Sequence, residues 1–140
     1  QNPGVAHLKA HDLPWLAERG ATTIVNVSGH SFDEYVAVIE ALEEAPVAAY
    51  EVNISCPNVD AGGMTMGCHV PSVEKVVSLC RAATKRPLIV KLTPNVTDIT
   101  EIAKAAEAAG CERQPAVPPG MSHLTMDTSA PGMERSGWQV

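Results

Sequence analysis

The spacing of apolar residues changes repeatedly along the chain, and the alternation predicts strand–helix units. Three short runs of β-branched and other apolar residues predict strands at residues 22–27, 48–54 and 87–92. Each run is followed by a segment whose apolar positions are three or four residues apart, which is typical of an amphipathic helix. One further helix is predicted before the first strand, over residues 3–19, with Gly20 as its stop.

Polar residues at fixed spacings indicate where two of the helices begin. Ser31 with Glu34 and Asp98 with Glu101 have the spacing of a capping box, in which side chains bond the free backbone N–H groups of the first turn. Pro14 interrupts the first predicted helix, and a proline there predicts a break or a new first turn.

The order of elements is one helix and then three strand–helix units, which predicts an α/β fold with a parallel sheet. Nearly continuous apolar strands are typical of strands that are buried on both faces. Crossovers of one hand place the carboxyl ends of all three strands at the same edge. Those ends carry Asn26, Asn53 and Lys91, and in α/β sheets and barrels this edge holds the active site.

The second predicted strand leads directly into a polar cluster, EVNISCPNV at residues 51–59. This cluster combines a potential base, Cys56, with two amides, Asn53 and Asn58, that can both donate and accept hydrogen bonds. Such a set suits a small planar polar ligand on which a proton is moved.

Composition narrows the class of protein. The 140 residues correspond to one domain of ordinary size, with 45% hydrophobic and 19% charged residues. A net charge of -6 without a basic stripe argues against nucleic acid and against an anionic membrane surface as partners. No apolar run reaches the roughly 18 residues of a membrane helix, and no signal peptide is recognisable, so a cytoplasmic location is expected.

The four cysteines do not form a metal-binding pattern, because none is part of a Cys-x-x-Cys pair and no histidines have a zinc-finger spacing. Cys80 falls in the apolar phase of a helix and is expected to be a small core residue. After Gly110 the periodic pattern stops. Residues 1–110 are therefore expected to form the folded domain, and residues 111–140 an irregular tail.

Several segments resemble the class 1 dihydroorotate dehydrogenases, most closely the 1B type. They are QNPG at 1–4, IVNVSG at 24–29, EVNISCPNV at 51–59, GGM at 62–64 and KLTPNVTDI at 91–99, in matching order and spacing. The resemblance covers residues 1–110. It implies a partial (β/α)8 barrel of about three β-α units with FMN at its carboxyl rim. It also implies oxidation of dihydroorotate to orotate in pyrimidine biosynthesis.

The resemblance also implies a role for each residue of the predicted site. Cys56 is similar to the catalytic base that removes a proton from C5 of dihydroorotate. Asn53 and Asn58 are similar to the amides that hold the pyrimidine ring. Asn26 and Asn53 are similar to flavin contacts, and Lys91 to the cation beside the N1/C2 edge of the flavin.

A 1B-type parent implies a partner subunit that carries FAD and an iron–sulfur cluster and passes electrons to NAD. The chain itself departs from the family, because it supplies only three units of the barrel and residues 111–140 do not match the family pattern. We therefore expect a fragment with an exposed apolar inner face, which predicts marginal stability or self-association.

Two other interpretations stay open at this point. The flavin domain of dihydropyrimidine dehydrogenase shares the segment at 91–99. Asn58 and the residue identities at 53–55 nevertheless favour dihydroorotate as the substrate. The chain could also be a barrel fragment without catalytic activity.

Overall fold

The computed structural model of the chain describes residues 3–55 and 66–112. A helical segment precedes three strand–helix units, in the order that the sequence predicts. The elements are α1 (Val5–His7), a π turn (Leu8–Asp12), α2 (Leu13–Glu18), β1 (Ile24–Val27), α3 (Phe32–Leu42), β2 (Ala49–Asn53), a 3-10 turn (Met66–Cys68), α4 (Val70–Ala83), β3 (Leu88–Lys91) and α5 (Ile99–Ala108).

The three strands form one parallel sheet in the order β1–β2–β3. In register, Val25 of β1 lies beside Tyr50 of β2, which lies beside Leu88 of β3. Strands that follow one another in the chain are therefore neighbours in the sheet, and each pair is joined by a helix, as parallel pairing requires. The predicted α/β class with parallel strands is confirmed.

Capping side chains begin α3 and α5 as the spacing predicts. The Ser31 hydroxyl accepts a hydrogen bond from the Glu34 N–H at 3.3 Å, while the Glu34 carboxylate accepts from the His30 N–H at 2.6 Å. In a capping box the Glu34 carboxylate would accept from the N–H of the cap residue Ser31, but here it accepts from the N–H of His30, one residue earlier. At α5, the Asp98 carboxylate accepts from the N–H and the hydroxyl of Thr100, and these bonds lower the pKa of Asp98.

Pro14 lies in the first turn of α2, which confirms the predicted new first turn, and it does not break the helical segment. The chain stays helical from Val5 to Glu18, and the turn before the proline widens into a π turn in which the Leu13 N–H donates to the Leu8 carbonyl. The wider turn gives room to the proline ring, which in a regular helix clashes with the carbonyl four residues earlier. Gly20 ends this segment with φ 71°, as predicted.

The helices α3, α4 and α5 pack on one face of the sheet. The face that carries Val25, Tyr50 and Leu88 packs under the helices, and these three side chains are at most 1% exposed. Helices α3 and α4 contact each other, as do α4 and α5, so the three form one layer. Buried residues from this layer complete the core: Tyr35, Ile39, Leu42, Val73, Val76, Val77, Cys80 and Ile102.

The opposite face, which we call the inner face, is only partly apolar. Alternate strand residues point to it, and they are Ile24, Asn26, Ala49, Glu51, Asn53, Ile89 and Lys91. The expectation of an apolar inner face is therefore wrong in part, because four of these seven side chains are polar or charged. Their polar groups cluster toward the carboxyl ends of the strands.

A polar network ties the amino ends of β2 and β3 together. The Glu43 carboxylate accepts from the Tyr50 hydroxyl at 3.3 Å and from the Thr84 hydroxyl at 2.9 Å, and it lies 3.7 Å from the Arg86 guanidinium. Arg86 also donates to the backbone carbonyl of Val47. Burial, followed by the Glu43 charge, raises the pKa of Tyr50 to about 12. This end of the sheet is therefore occupied by structural contacts.

Cys80 is fully buried, which confirms its predicted place in the core, and this burial makes stability fall at alkaline pH. Burial raises the pKa of the thiol from its ordinary value of 9.0 to about 12. Between about pH 9 and pH 12 the unfolded chain therefore binds fewer protons than the folded chain, and the free energy of unfolding decreases. We expect the decrease to be shallower in Cys80→Ala, measured by urea unfolding across this range.

The matched control for this prediction is Cys68→Ala, which removes an exposed thiol from the 3-10 turn. This variant keeps the buried thiol of Cys80, so its stability should still fall between about pH 9 and pH 12. Equal slopes for all three proteins would show that the buried thiol does not contribute.

After α5 the chain returns to the sheet. Gly110 ends the helix with φ 104°, and the Glu112 N–H then donates to the Leu88 carbonyl at 2.8 Å, at the outer edge of β3. Residue 112 thus begins to pair where a fourth strand would lie. Among residues 3–55 and 66–112, none of the helices has the length and hydropathy needed to cross a membrane.

Candidate active site

The structure brings together the three predicted site residues that it describes. Asn53 and Lys91 are the last residues of β2 and β3 and are neighbours in register. Asn26 on β1 is the register neighbour of Glu51, which precedes Asn53 by two residues on β2. Asn26 therefore lies on the same inner face, two residues further from the carboxyl end of the sheet. Asn26 and Asn53 are only 1% and 5% exposed, whereas Lys91 is exposed. The site is therefore a buried amide pair beside a solvent-facing ammonium.

A directed chain of hydrogen bonds joins these side chains. The Ser55 hydroxyl and N–H donate to the Asn53 carbonyl oxygen Oδ1, at 2.6 Å and 3.1 Å. The Asn53 Nδ2 group donates to Asn26 Oδ1 at 3.4 Å. The Asn26 Nδ2 group donates in turn to Glu51 Oε1 at 2.5 Å. Every bond in this chain points toward the carboxylate.

Sequence reasoning did not find Glu51 as a member of the site. Its signal was present, because Glu51 and Asn53 are two residues apart on a predicted strand and must share a face. A carboxylate within an otherwise apolar strand is unusual unless it is paired. Its partner, Asn26, is 25 residues away in the chain, so only the strand register shows that the two side chains meet.

Cys56 and Asn58, together with the glycine segment at 62–64, lie outside the described residues. Their predicted roles stay predictions. Lys91 has no hydrogen-bond or ion-pair partner among the residues that the structure describes. No group of three or more Cys, His, Asp or Glu residues in that part of the chain has the arrangement of a metal site.

The described ends of the stretch from 56 to 65 lie against each other. A Cβ atom placed on Gly67 would be 2.1 Å from the Ile54 carbonyl oxygen, so the backbones of the 3-10 turn and of the end of β2 are in close contact. Only glycine allows this approach. The contact anchors both sides of the segment that contains Cys56.

Tyr35 of α3 supports the same strand end from the helix layer. Its hydroxyl is buried and donates to the Asn53 backbone carbonyl at 2.9 Å. Asn53 is therefore held through its backbone by α3 and through its side chain by Ser55 and Asn26. Three elements thus determine where this amide lies.

Replacing Tyr35 with phenylalanine should test the backbone part of this support. The buried carbonyl would lose a hydrogen bond, and we expect a loss of about 1 kcal/mol in the free energy of unfolding. Urea unfolding measures the change. Tyr50→Phe, which removes a hydroxyl at the opposite end of the sheet, is the control for overall stability. Amide hydrogen exchange at residues 54 and 55 should rise in Tyr35→Phe only, and equal exchange in both variants would contradict the prediction.

Chemically, the inner face presents hydrogen-bond donors and acceptors side by side with one cation. Each amide nitrogen uses one of its two N–H groups in the chain of bonds, so one N–H of Asn26 and one of Asn53 lack a partner among the described residues. Two amide donors and an ammonium suit the edge of a planar heterocycle that can become negatively charged.

Comparison with known proteins connects this geometry to a family. A family model described as "Dihydroorotate dehydrogenase" matches residues 1–117. The chain belongs to the dihydroorotate dehydrogenase family. Within this family, the chain is 47% identical over 112 residues to the "Dihydroorotate dehydrogenase B (NAD(+)), catalytic subunit" of Alkaliphilus metalliredigens, an alignment that covers 80% of the chain. It is 49% identical over 113 residues to the "Dihydroorotate dehydrogenase A (fumarate)" of Lactiplantibacillus plantarum, with 79% of the chain covered.

The chain spans 37% of the length of each of these two dihydroorotate dehydrogenases. A third relative, the B-type catalytic subunit of Desulforamulus reducens, is 39% identical over 158 aligned positions that include 100% of the chain and 52% of the relative. The family match extends seven residues beyond position 110. The division of the chain at residue 110 stays a prediction.

Proposed function

We propose that the chain is part of an FMN-dependent dihydroorotate dehydrogenase that oxidises dihydroorotate to orotate in de novo pyrimidine biosynthesis. The observation that carries the proposal is the amide pair Asn26–Asn53 beside Lys91, at the carboxyl ends of parallel strands. In the sequence, Cys56 comes three residues after Asn53. In a member of this family, that arrangement supports a flavin and a pyrimidine bound at the same edge of the sheet.

We also propose that the sheet is a part of a (β/α)8 barrel. Three parallel strands with helices on one face correspond to three of its eight units. The bond between Glu112 and the edge of β3 supports a further strand at that position. The inner face would then be the interior of the barrel, which explains why polar side chains gather at its carboxyl end.

The described residues fit one edge of the flavin ring. Asn26 and Asn53 would donate to its carbonyl and ring-nitrogen acceptors, and Lys91 would place a positive charge where the reduced ring is negative. When bound, FMN would accept the hydride that leaves C6 of dihydroorotate. Binding of the FMN phosphate usually depends on the last two strands of such barrels, which correspond to none of the described strands.

Cys56 is proposed to remove the proton from C5 of dihydroorotate. A thiolate is the reactive form, and in the sequence Cys56 comes three residues after Asn53, the last residue of β2. Asn53 and Asn58 would hold the pyrimidine ring through paired donor and acceptor groups. One substrate hydrogen would thus leave as a proton to Cys56, and the other as a hydride to the cofactor.

The names of the B-type relatives support a proposal about partners. The parent of this chain would act with a second subunit that carries FAD and an iron–sulfur cluster and reduces NAD. Self-association of the chain also belongs to the proposal, since the outer strand edges and Ile24 and Ile89 on the inner face would be covered in a complete barrel. The cytoplasmic location expected from the sequence stays a prediction.

The experiment that tests the function uses a chimera. Residues 1–110 replace the equivalent segment of the Alkaliphilus metalliredigens catalytic subunit, which supplies the remaining strands. After FMN loading, anaerobic addition of dihydroorotate should bleach the visible flavin absorption, and addition of dihydrouracil should not. Bleaching by dihydrouracil would instead select the dihydropyrimidine dehydrogenase interpretation. A folded, flavin-loaded chimera that neither compound bleaches would contradict the proposal and leave a non-catalytic fragment.

A further inference from the structure

We propose that Glu51 is a positioning residue that sets the orientation of the Asn26 amide and, through it, that of the Asn53 amide. Its importance for flavin binding depends on the proposed function, but the positioning itself can be tested without any ligand. Glu51 does not need to touch a ligand for this role. It acts at the end of the hydrogen-bond chain that runs through both amides.

The argument begins with the ambiguity of an asparagine side chain. Its oxygen and nitrogen have nearly the same shape, so rotation of the amide by half a turn exchanges a donor for an acceptor at almost no steric cost. A buried amide that faces a ligand must nevertheless present one defined edge. Something in its surroundings has to distinguish the two ends.

Glu51 makes this distinction for Asn26. An ionised carboxylate can only accept, so the Asn26 Nδ2 group must face it, as it does at 2.5 Å. The Asn26 oxygen is then turned toward Asn53, whose Nδ2 group donates to it at 3.4 Å. Rotation of Asn26 would bring two oxygens together at Glu51 and two nitrogens together at Asn53, so both contacts resist the exchange.

At the other end of the hydrogen-bond chain, Ser55 constrains the orientation of the Asn53 amide more weakly, but in the same direction. The Ser55 N–H can only donate, and it faces the Asn53 oxygen at 3.1 Å. Asn53 is therefore oriented from both sides, directly by Ser55 and indirectly by Glu51. Asn26 has only Glu51 and Asn53 as side-chain partners among the described residues. The bond to Glu51 is charge-assisted and belongs to the stronger class of hydrogen bond, so it determines the orientation of Asn26.

The position of Glu51 on β2 explains why it can orient both amides. Glu51 lies beside Asn26 in register and two residues before Asn53 on the same strand, so it faces both amides from the deeper side of the inner face. Glu51 is half-buried, and the only hydrogen-bond partner of its carboxylate among the residues that the structure describes is Asn26. A carboxylate there is poorly explained by the packing of the sheet alone.

The experiment measures the side-chain amides of the full chain by NMR, without flavin. The variants are Glu51→Gln, which keeps the shape but can present a donor, and Glu51→Leu, which has no acceptor. We expect side-chain amide hydrogen exchange to rise about tenfold or more at Asn26 in both variants. A smaller rise is expected at Asn53, which Glu51 does not touch. Glu40→Gln, an exposed position on α3, is the control with the same change of charge.

The response of Asn53 distinguishes positioning from a purely structural effect. A structural role would lower the thermal midpoint without changing Asn53 selectively. Unchanged exchange at both asparagines in Glu51→Gln and Glu51→Leu would overturn the proposal. If Glu51→Leu does not fold, the shape-preserving Glu51→Gln variant decides alone.

A second measurement connects the positioning to the cofactor. In the FMN-loaded chimera, Glu51→Gln should weaken FMN affinity about tenfold, and the effect should largely disappear when Asn26 is already alanine, because both changes remove the same interaction. Fully additive losses would contradict the indirect route. Absence of any FMN binding would contradict the proposed function, while the exchange result would still stand or fall by itself.

Discussion

Replacing Cys56 with alanine is expected to slow the oxidation of dihydroorotate by about a hundredfold to ten-thousandfold, the usual contribution of a general base. The substitution removes the group that we propose to take the C5 proton but leaves the amides of Asn26 and Asn53 in place. FMN binding should therefore change little. The measurement is the rate of anaerobic flavin bleaching in the chimera, followed by stopped flow at saturating dihydroorotate.

Cys68→Ala provides the matched control, because it removes another thiol close in the chain. Cys68 is exposed and donates only a weak hydrogen bond, with Sγ 3.5 Å from the Asn95 carbonyl oxygen. Its removal should change the rate less than twofold, as expected for a surface position. A Cys56→Ala enzyme within a few-fold of the unmodified rate would mean that another group removes the proton.

Replacing Gly67 with alanine should cause the largest loss of stability, about 3 kcal/mol or more, because it overpacks a contact between two backbones. The new methyl group would meet the Ile54 carbonyl oxygen at 2.1 Å, and a backbone atom cannot rotate away as a side chain can. The 3-10 turn and the end of β2 must separate. Urea unfolding measures the loss of stability.

Separation of these segments should also impair the site, since they anchor the stretch that contains Cys56. In the chimera we therefore expect Gly67→Ala to lower the bleaching rate as well as the stability. Met66→Leu keeps an apolar side chain of similar volume next to Gly67 and is the control for local packing. Gly67→Ala with unchanged stability and rate would show that the turn moves aside without cost.

Local patterns in the sequence predicted most of the secondary structure. Ser31 and Asp98 cap helices because a short oxygen-bearing side chain satisfies nearby N–H groups, which is an interaction within three residues. Val73, Val76, Val77 and Cys80 are buried because their spacing places them on one face of a helix. Pro14 shows the limit of this reasoning, since the sequence indicated a break or a new first turn but not the π turn that accommodates the ring.

The candidate site was predicted in part. Asn26 and Asn53 were found because each carries a polar group at the end of an apolar strand, and the order of elements placed those ends at one edge. Glu51 and Gly67 were missed for a common reason. Their partners, Asn26 and Ile54, are brought to them by strand register and by the return of the chain, and neither distance can be read from residue spacing.

By itself, the sequence determined the order of strands and helices, the parallel arrangement and the edge where polar residues collect. These follow from hydrophobic periodicity, from capping and from the geometry of crossovers, which act within a strand–helix unit. Only the tertiary structure decided which side chains meet on the inner face and in which direction their hydrogen bonds run. Those contacts join residues about 25 positions apart, and their formation depends on the register between strands.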